Sequence, residues 1–189
     1  MAKVYAYLAD GLEETELLAV VDVLKRGGQE VTLVSVTGSR EVVSAHGIRL
    51  LADEVIEDTD AAQADVIFLP GGMPGTVNLG NCEALCQALV KAYEEGRRLA
   101  AICAAPSVLG KLGLLKGKKA TCYPGFEDQL LGAEHTRKGV VTDGTITTSR
   151  GLGYALDLGL ELVSLLAGGE KALQVKNAIQ YDQTEFPVK

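Results

Sequence analysis

The chain has 189 residues, 47% hydrophobic and 23% charged, an ordinary balance for one folded domain with a full core. A net charge of −7 works against non-specific binding to nucleic acid or an anionic membrane, and no Trp with three Phe offers no stacking platform for single strands. The longest apolar runs, such as Val66-Ile67-Phe68-Leu69, have strand length and fall far short of a membrane span.

Met1-Ala2-Lys3-Val4 leads straight into a strand-like run without a charged-then-apolar leader, so a cytoplasmic location is expected. Lys3 to Ala9 reads as a strand. Glu14 to Arg26 reads as a helix, because Leu17, Val20, Val21 and Leu24 recur at helical spacing and Gly27-Gly28 stops it. Glu30 to Val36 is rich in branched residues and reads as a strand. Glu41 to Leu51, broken at Gly47, gives two short strands at hairpin spacing. Asp65 to Leu69 is a buried strand ended by Pro70-Gly71-Gly72. Glu83 to Glu95 is a helix stopped at Gly96, Leu99 to Ile102 the next buried strand, and Ala105 to Leu112 a helix. Lys119 to Cys122 is a short strand, and Lys138 to Ser149 holds two more around the Asp143-Gly144 turn. Tyr154 to Leu166 and Glu170 to Ile179 close the chain as helices.

Strands alternating with helices of these lengths imply an α/β fold: one domain over 1–189, a mostly parallel sheet with helices on both faces. Ligands bind such sheets beyond the carboxyl ends of the strands. Three loops should therefore open on one edge: Asp10-Gly11-Leu12, Pro70-Gly71-Gly72-Met73-Pro74-Gly75 and Cys103-Ala104-Ala105-Pro106.

Cys103 follows Leu99-Ala100-Ala101-Ile102 and precedes a helix start with Pro106 in its first turn. Unpaired amides at such a start favour an anion, so the thiol is expected to ionise more readily than a free one. Small neighbours Ala101, Ala104 and Ala105 leave room for a substrate or an oxidised sulfur. The competing account is an inert buried cysteine. Glu13 and Glu14 suit a helix start, whereas Glu16 directly precedes Leu17 on the buried face and can turn toward Cys103. A buried carboxyl there has its pKa raised and, while neutral, can donate to a thiolate. The turn at Gly71-Gly72 offers free amides to an oxyanion, and Gly151-Leu152-Gly153 closes the pocket from another side. Cys82 and Cys86, four apart with no second thiol pair, make a poor zinc site and fit core packing. His135 lies in a polar, solvated stretch, His46 follows a short strand within reach of a site or interface, and neither adjoins Cys103.

The set Asp10-Gly11-Leu12-Glu13-Glu14-Thr15-Glu16, Val66 to Gly72, Ala100 to Pro106 and Thr148-Ser149-Arg150-Gly151 resembles the ThiJ/PfpI superfamily, in order and over essentially the whole chain. Its DJ-1 branch is the most similar. The resemblance implies a flavodoxin-like three-layer sandwich, usually homodimeric, with a nucleophilic and oxidisable cysteine and no cofactor or metal. It makes Cys103 that cysteine, Glu16 the protonated glutamate bonded to it, and Gly72 a backbone donor in the oxyanion pocket. Members are described as glutathione-independent glyoxalases acting on 2-oxoaldehydes, as protein deglycases and as redox-responsive chaperones. A small reactive carbonyl is thus the implied substrate. Ala104 stands where the protease-like branch has a histidine, which disfavours peptidase activity. Tyr123 stands where the DJ-1 branch often has a histidine, and His46 where relatives carry an arginine directed at the partner subunit's site. Three readings follow: a glyoxalase or deglycase, a redox sensor or oxidation-responsive chaperone using the same cysteine, and an inert α/β module.

Overall fold

The computed structural model describes residues 1–182; residues 183–189 of the expected domain lie outside the described part. The strands are β1 (Lys3–Leu8), β2 (Glu30–Ser35), β3 (Glu41–Val43), β4 (Arg49–Leu51), β5 (Glu54–Val55), β6 (Val66–Leu69), β7 (Arg98–Ile102), β8 (Lys119–Ala120), β9 (Glu134–His135), β10 (Val140–Asp143) and β11 (Ile146–Ser149). The helices are α1 (Glu14–Arg26), α2 (Gly75–Asn81), α3 (Glu83–Glu94), α4 (Pro106–Lys111), α5 (Ala155–Ala167) and α6 (Gly169–Ala178).

One sheet runs in the order β10-β11-β7-β6-β1-β2-β5. Every neighbouring pair in it is parallel except β10–β11, the hairpin expected at Asp143-Gly144. Its five inner strands, β2-β1-β6-β7-β11, follow the doubly wound flavodoxin-like order, in which the chain reverses direction between β1 and β6. The alternation of side chains explains why both faces are covered. On one face Tyr5, Tyr7, Ile67, Leu69 and Leu99 pack with Leu85, Leu89 and Ala92 of α3 and Val108 and Leu109 of α4. On the other, Val4, Ala6, Leu8, Phe68 and Ile102 pack with Leu17, Val20 and Leu24 of α1 and Leu158, Leu162 and Val163 of α5. A three-layer sandwich results.

The structure departs from the sequence reading at two of these elements. Gly75–Asn81 forms a helix that the sequence hides, since Pro74, Gly75 and Gly80 weaken any helical pattern. The expected strand at Lys119 stops at Ala120 and pairs with β9 in a separate two-stranded sheet, so His135 is a half-buried strand residue rather than a solvated one. The hairpin expected across Gly47 forms, Val42 against Leu50, as a two-stranded sheet apart from the main one.

Candidate active site

The three expected loops meet at the carboxyl edge. The Glu13 amide donates to the Gly71 carbonyl at 2.9 Å and the Gly75 amide to the Gly11 carbonyl at 3.1 Å, locking the turn after β1 to the turn after β6. The loop after β7 is tied to β11 and to the segment after β8: the Cys103 amide donates to Ser149 O at 2.9 Å, and the Tyr123 amide donates to Cys103 O at 2.8 Å. Between these ties Cys103 holds a φ of 63°, left-handed backbone that a non-glycine residue adopts only when its surroundings impose it. The thiol is half-buried.

Glu16 lies in the first turn of α1, where the Glu13 side chain caps the helix by accepting from the Thr15 amide at 3.4 Å. Only 1% of Glu16 is exposed. Its Oε2 accepts from the Gly71 amide at 3.0 Å, and the carboxyl also bonds the Leu152 amide and the Cys103 thiol. Gly71 is required by proximity: a Cβ there would sit 2.5 Å from Cys103 Cβ and 2.6 Å from Glu16 Oε2. Gly72 is required by conformation, with φ at 91° and no space between its Cα and the Glu13 amide.

Burial pushes the Glu16 carboxyl up to about 7, against the pull of its bonds to Cys103 and Gly71. The Cys103 thiol is pushed up to about 12, first by burial, then by the charge and hydrogen bond of Glu16; the amides of Ala104 and Gly72 pull it down. This corrects the expectation that the turn alone makes the thiol acidic. The following helix has only six residues, and burial outweighs two amides while Glu16 is ionised. When Glu16 carries its proton, the charge repulsion disappears and the neutral carboxyl can donate to a thiolate. Cys103 and Glu16 therefore titrate as a pair, one proton leaving near neutrality and the other held far above it.

A cavity of about 300 Å³ is lined by Tyr123, Pro124 and Arg150 to Tyr154, with neither Cys103 nor Glu16 in its wall. The missing side chain of Gly151 faces the Tyr123 ring at 3.3 Å and Glu16 Oε1 at 4.0 Å, so Tyr123, Gly151 and Glu16 converge as the sequence reading expects. Ala104 is buried beneath the turn and contributes its amide rather than its side chain. His46 is not brought to the thiol. Its ring is 64% exposed and its Nδ1 lies 2.9 Å from Glu14 Oε1 and 3.7 Å from Glu13 Oε2, outside the residues lining the cavity. Cys82 packs against the core and Cys86 donates to the Gly80 carbonyl at 3.4 Å. The Leu152 amide was not singled out in the sequence; the Gly151-Leu152-Gly153 run was its only signal. Among the described residues no helix is long and apolar enough to cross a membrane.

A doubly wound sheet with a strained cysteine and a buried carboxyl at its switch edge defines a cysteine-centred α/β protein. Comparison with known proteins makes this specific. The DJ-1/PfpI family model matches residues 2–165, and the chain belongs to that family. It is 42% identical over 179 residues to Protein DJ-1 homolog B of Arabidopsis thaliana, covering 94% of this chain and 41% of the relative, so the chain spans under half of that protein. It is 33% identical to the Glutathione-independent glyoxalase DJR-1.2 of Caenorhabditis elegans, covering 84% of this chain and 85% of the relative. Oxidised Toxoplasma gondii DJ-1 superposes with a TM-score of 0.92 at 34% identity, covering 96% of this chain and 99% of that one.

Proposed function

We propose that this protein is a cysteine-dependent enzyme that converts small 2-oxoaldehydes to 2-hydroxy acids without glutathione. The observation that carries the reading is the Glu16 carboxyl, buried, raised to about 7 and bonded to the Cys103 thiol, with its Oε1 4.0 Å from the Cβ position of Gly151 in the cavity wall. The C. elegans relative's description as a glutathione-independent glyoxalase supports it.

The Cys103 sulfur adds to the aldehyde carbon, forming the C–S bond, while the aldehyde oxygen takes the proton held by the Cys103–Glu16 pair. The product is a hemithioacetal. The amides of Gly72 and Ala104, which already face the sulfur, stabilise charge on that oxygen. Glu16, now a carboxylate, takes the proton from C1, and a proton returns at C2 through an enediol, leaving a 2-hydroxyacyl thioester. Water splits the thioester to the 2-hydroxy acid and restores the thiol. Methylglyoxal supplied without glutathione should yield lactate with the wild type and none with Cys103→Ala. Equal lactate from both proteins refutes the proposal.

A second reading is favoured by the half-buried thiol and the oxidised state of the Toxoplasma relative: oxidation of Cys103 to a sulfinate held by Glu16 and the local amides. Mass spectrometry after mild peroxide should place the first added oxygens on Cys103; their appearance first on Cys82, Cys86 or buried Cys122 eliminates it.

A further inference from the structure

A second cavity, of about 160 Å³, adjoins the one lined by Tyr123 and Gly151, because Pro124 and Arg150 stand in the walls of both. Its wall also holds Glu127, His135 and Arg137. The Glu127 carboxylate accepts from the Gly125 amide at 2.6 Å. Its pKa is held down first by its own amide and that of Gly125, then by the charges of His135 and Arg137. Arg150 is left over. It is half-buried, and among the described residues its guanidinium has no hydrogen bond or ion pair. Its nitrogens are nonetheless reached by solvent. A guanidinium carries five N–H donors in a fixed fork, so one left half-buried without an acceptor is a position for an anion. Its neighbours fix where that anion would lie. The Ser149 carbonyl accepts from the Cys103 amide at 2.9 Å, and the Cβ position of Gly151 is 4.0 Å from Glu16 Oε1.

We propose that Arg150 binds a carboxylate at the far end of the substrate, so that the site prefers 2-oxoaldehydes that carry one. This names the substrate class of the reaction proposed above and rests on that reading for the reacting end. The aldehyde meets Cys103, and the carboxylate accepts two hydrogen bonds from the Arg150 fork. Charge selects a carboxylate over a phosphate ester. Arg137 and Arg150 against Glu127 leave one positive charge in excess, which matches a monoanion, whereas a phosphate ester carries about −1.5 to −2 at pH 7.

4-Oxopentanoate and its methyl ester present the far end while offering no aldehyde to Cys103. Calorimetry should show the wild type binding 4-oxopentanoate about tenfold more tightly than the ester, the worth of one charge-assisted hydrogen bond. Arg150→Gln should bind the two equally, and Arg150→Lys, which keeps the charge, should retain part of the preference. Inorganic phosphate at equal concentration should leave 4-oxopentanoate bound. The proposal is overturned by no preference in the wild type, by a preference that survives in Arg150→Gln or is lost equally in Arg150→Lys, or by displacement with phosphate. Turnover separates it from the glyoxalase reading. 4,5-Dioxopentanoate should give 2-hydroxyglutarate with a kcat/KM about tenfold above that of its methyl ester; equal values overturn the proposal. A preference in binding with no turnover of either aldehyde refutes the carbonyl chemistry and leaves the carboxylate site standing.

Discussion

Replacing Glu16 by Gln tests the buried carboxyl through the stability of the fold, independently of any substrate. Gln keeps the side-chain shape and an oxygen to accept from the Gly71 amide, but it cannot ionise. In the wild type the carboxyl titrates at about 7 when folded and near the ordinary value of 4.5 when unfolded. The folded state thus holds the proton more tightly, and between those values it binds more protons than the unfolded chain. Its stability must fall as pH rises through that window and level off above it. At about 1.4 kcal/mol per pH unit, the gap between 4.5 and about 7 amounts to roughly 3 kcal/mol. Urea unfolding of both proteins at several pH values from 4.5 to 8 measures this, with the difference between them cancelling the carboxylates they share. Near pH 4.5 the two should be close in stability. By pH 8 Glu16→Gln should be more stable by about 3 kcal/mol, the size of the linkage effect. A difference that does not change with pH refutes the claim that burial holds a proton on Glu16.

The same titration sets the pH profile of turnover: methylglyoxal conversion should rise through an apparent pKa near 7 as the pair gives up its first proton, and Glu16→Gln should lose that inflection. Gly71→Ala drives a Cβ to within 2.5 Å of Cys103 Cβ, and a loss of about 1–3 kcal/mol in urea unfolding together with loss of lactate formation is expected. His46→Ala removes an exposed contact to Glu14 and should cost less than about 1 kcal/mol, with kcat and KM for methylglyoxal unchanged. A tenfold drop in kcat/KM for His46→Ala contradicts the placement of that ring outside the cavity.

What the sequence disclosed followed from local pattern. Leu17, Val20 and Leu24 fix the buried face of α1, and Glu16 next to them could turn only toward the sheet edge. The meeting of the three loops at one edge is legible because strands alternating with helices leave few topologies. Gly71 was legible as a flexible turn but not as a clamp, since its need to lack a Cβ arises from Glu16, 55 residues earlier in the chain. The helix at Gly75–Asn81 was hidden for a related reason: two glycines lower its propensity, and its form is imposed by Leu79 in the core and Gly75 against Leu12. The direction of His46 was not legible, because following a short strand brings a residue near an edge without saying which way its ring faces. The state of the Cys103 thiol was not legible because amides at an exposed helix start favour a thiolate, whereas at this buried turn desolvation is the largest contribution.

In the proposed reaction the proton at the thiol is handled by a carboxyl rather than by an imidazole. No histidine contacts Cys103 among the described residues: His46 pairs with Glu14, and His135 lies with Cys122, Glu127 and Arg137 around another cavity. Proton movement at the thiol therefore falls to the carboxyl that touches it. Glu16 suits both halves of that task because it loses its proton near neutrality and is held within reach of sulfur by the Gly71 and Leu152 amides. The same geometry bears on oxidation. A sulfinate needs a donor beside it, which a protonated Glu16 supplies, and needs no base, which an ionised Glu16 would be. Carbonyl attack and the first step of sulfur oxidation both draw on the thiolate, so both should rise together as the pair gives up its first proton, and the protonated Glu16 of that state supplies the donor that a sulfinate then needs.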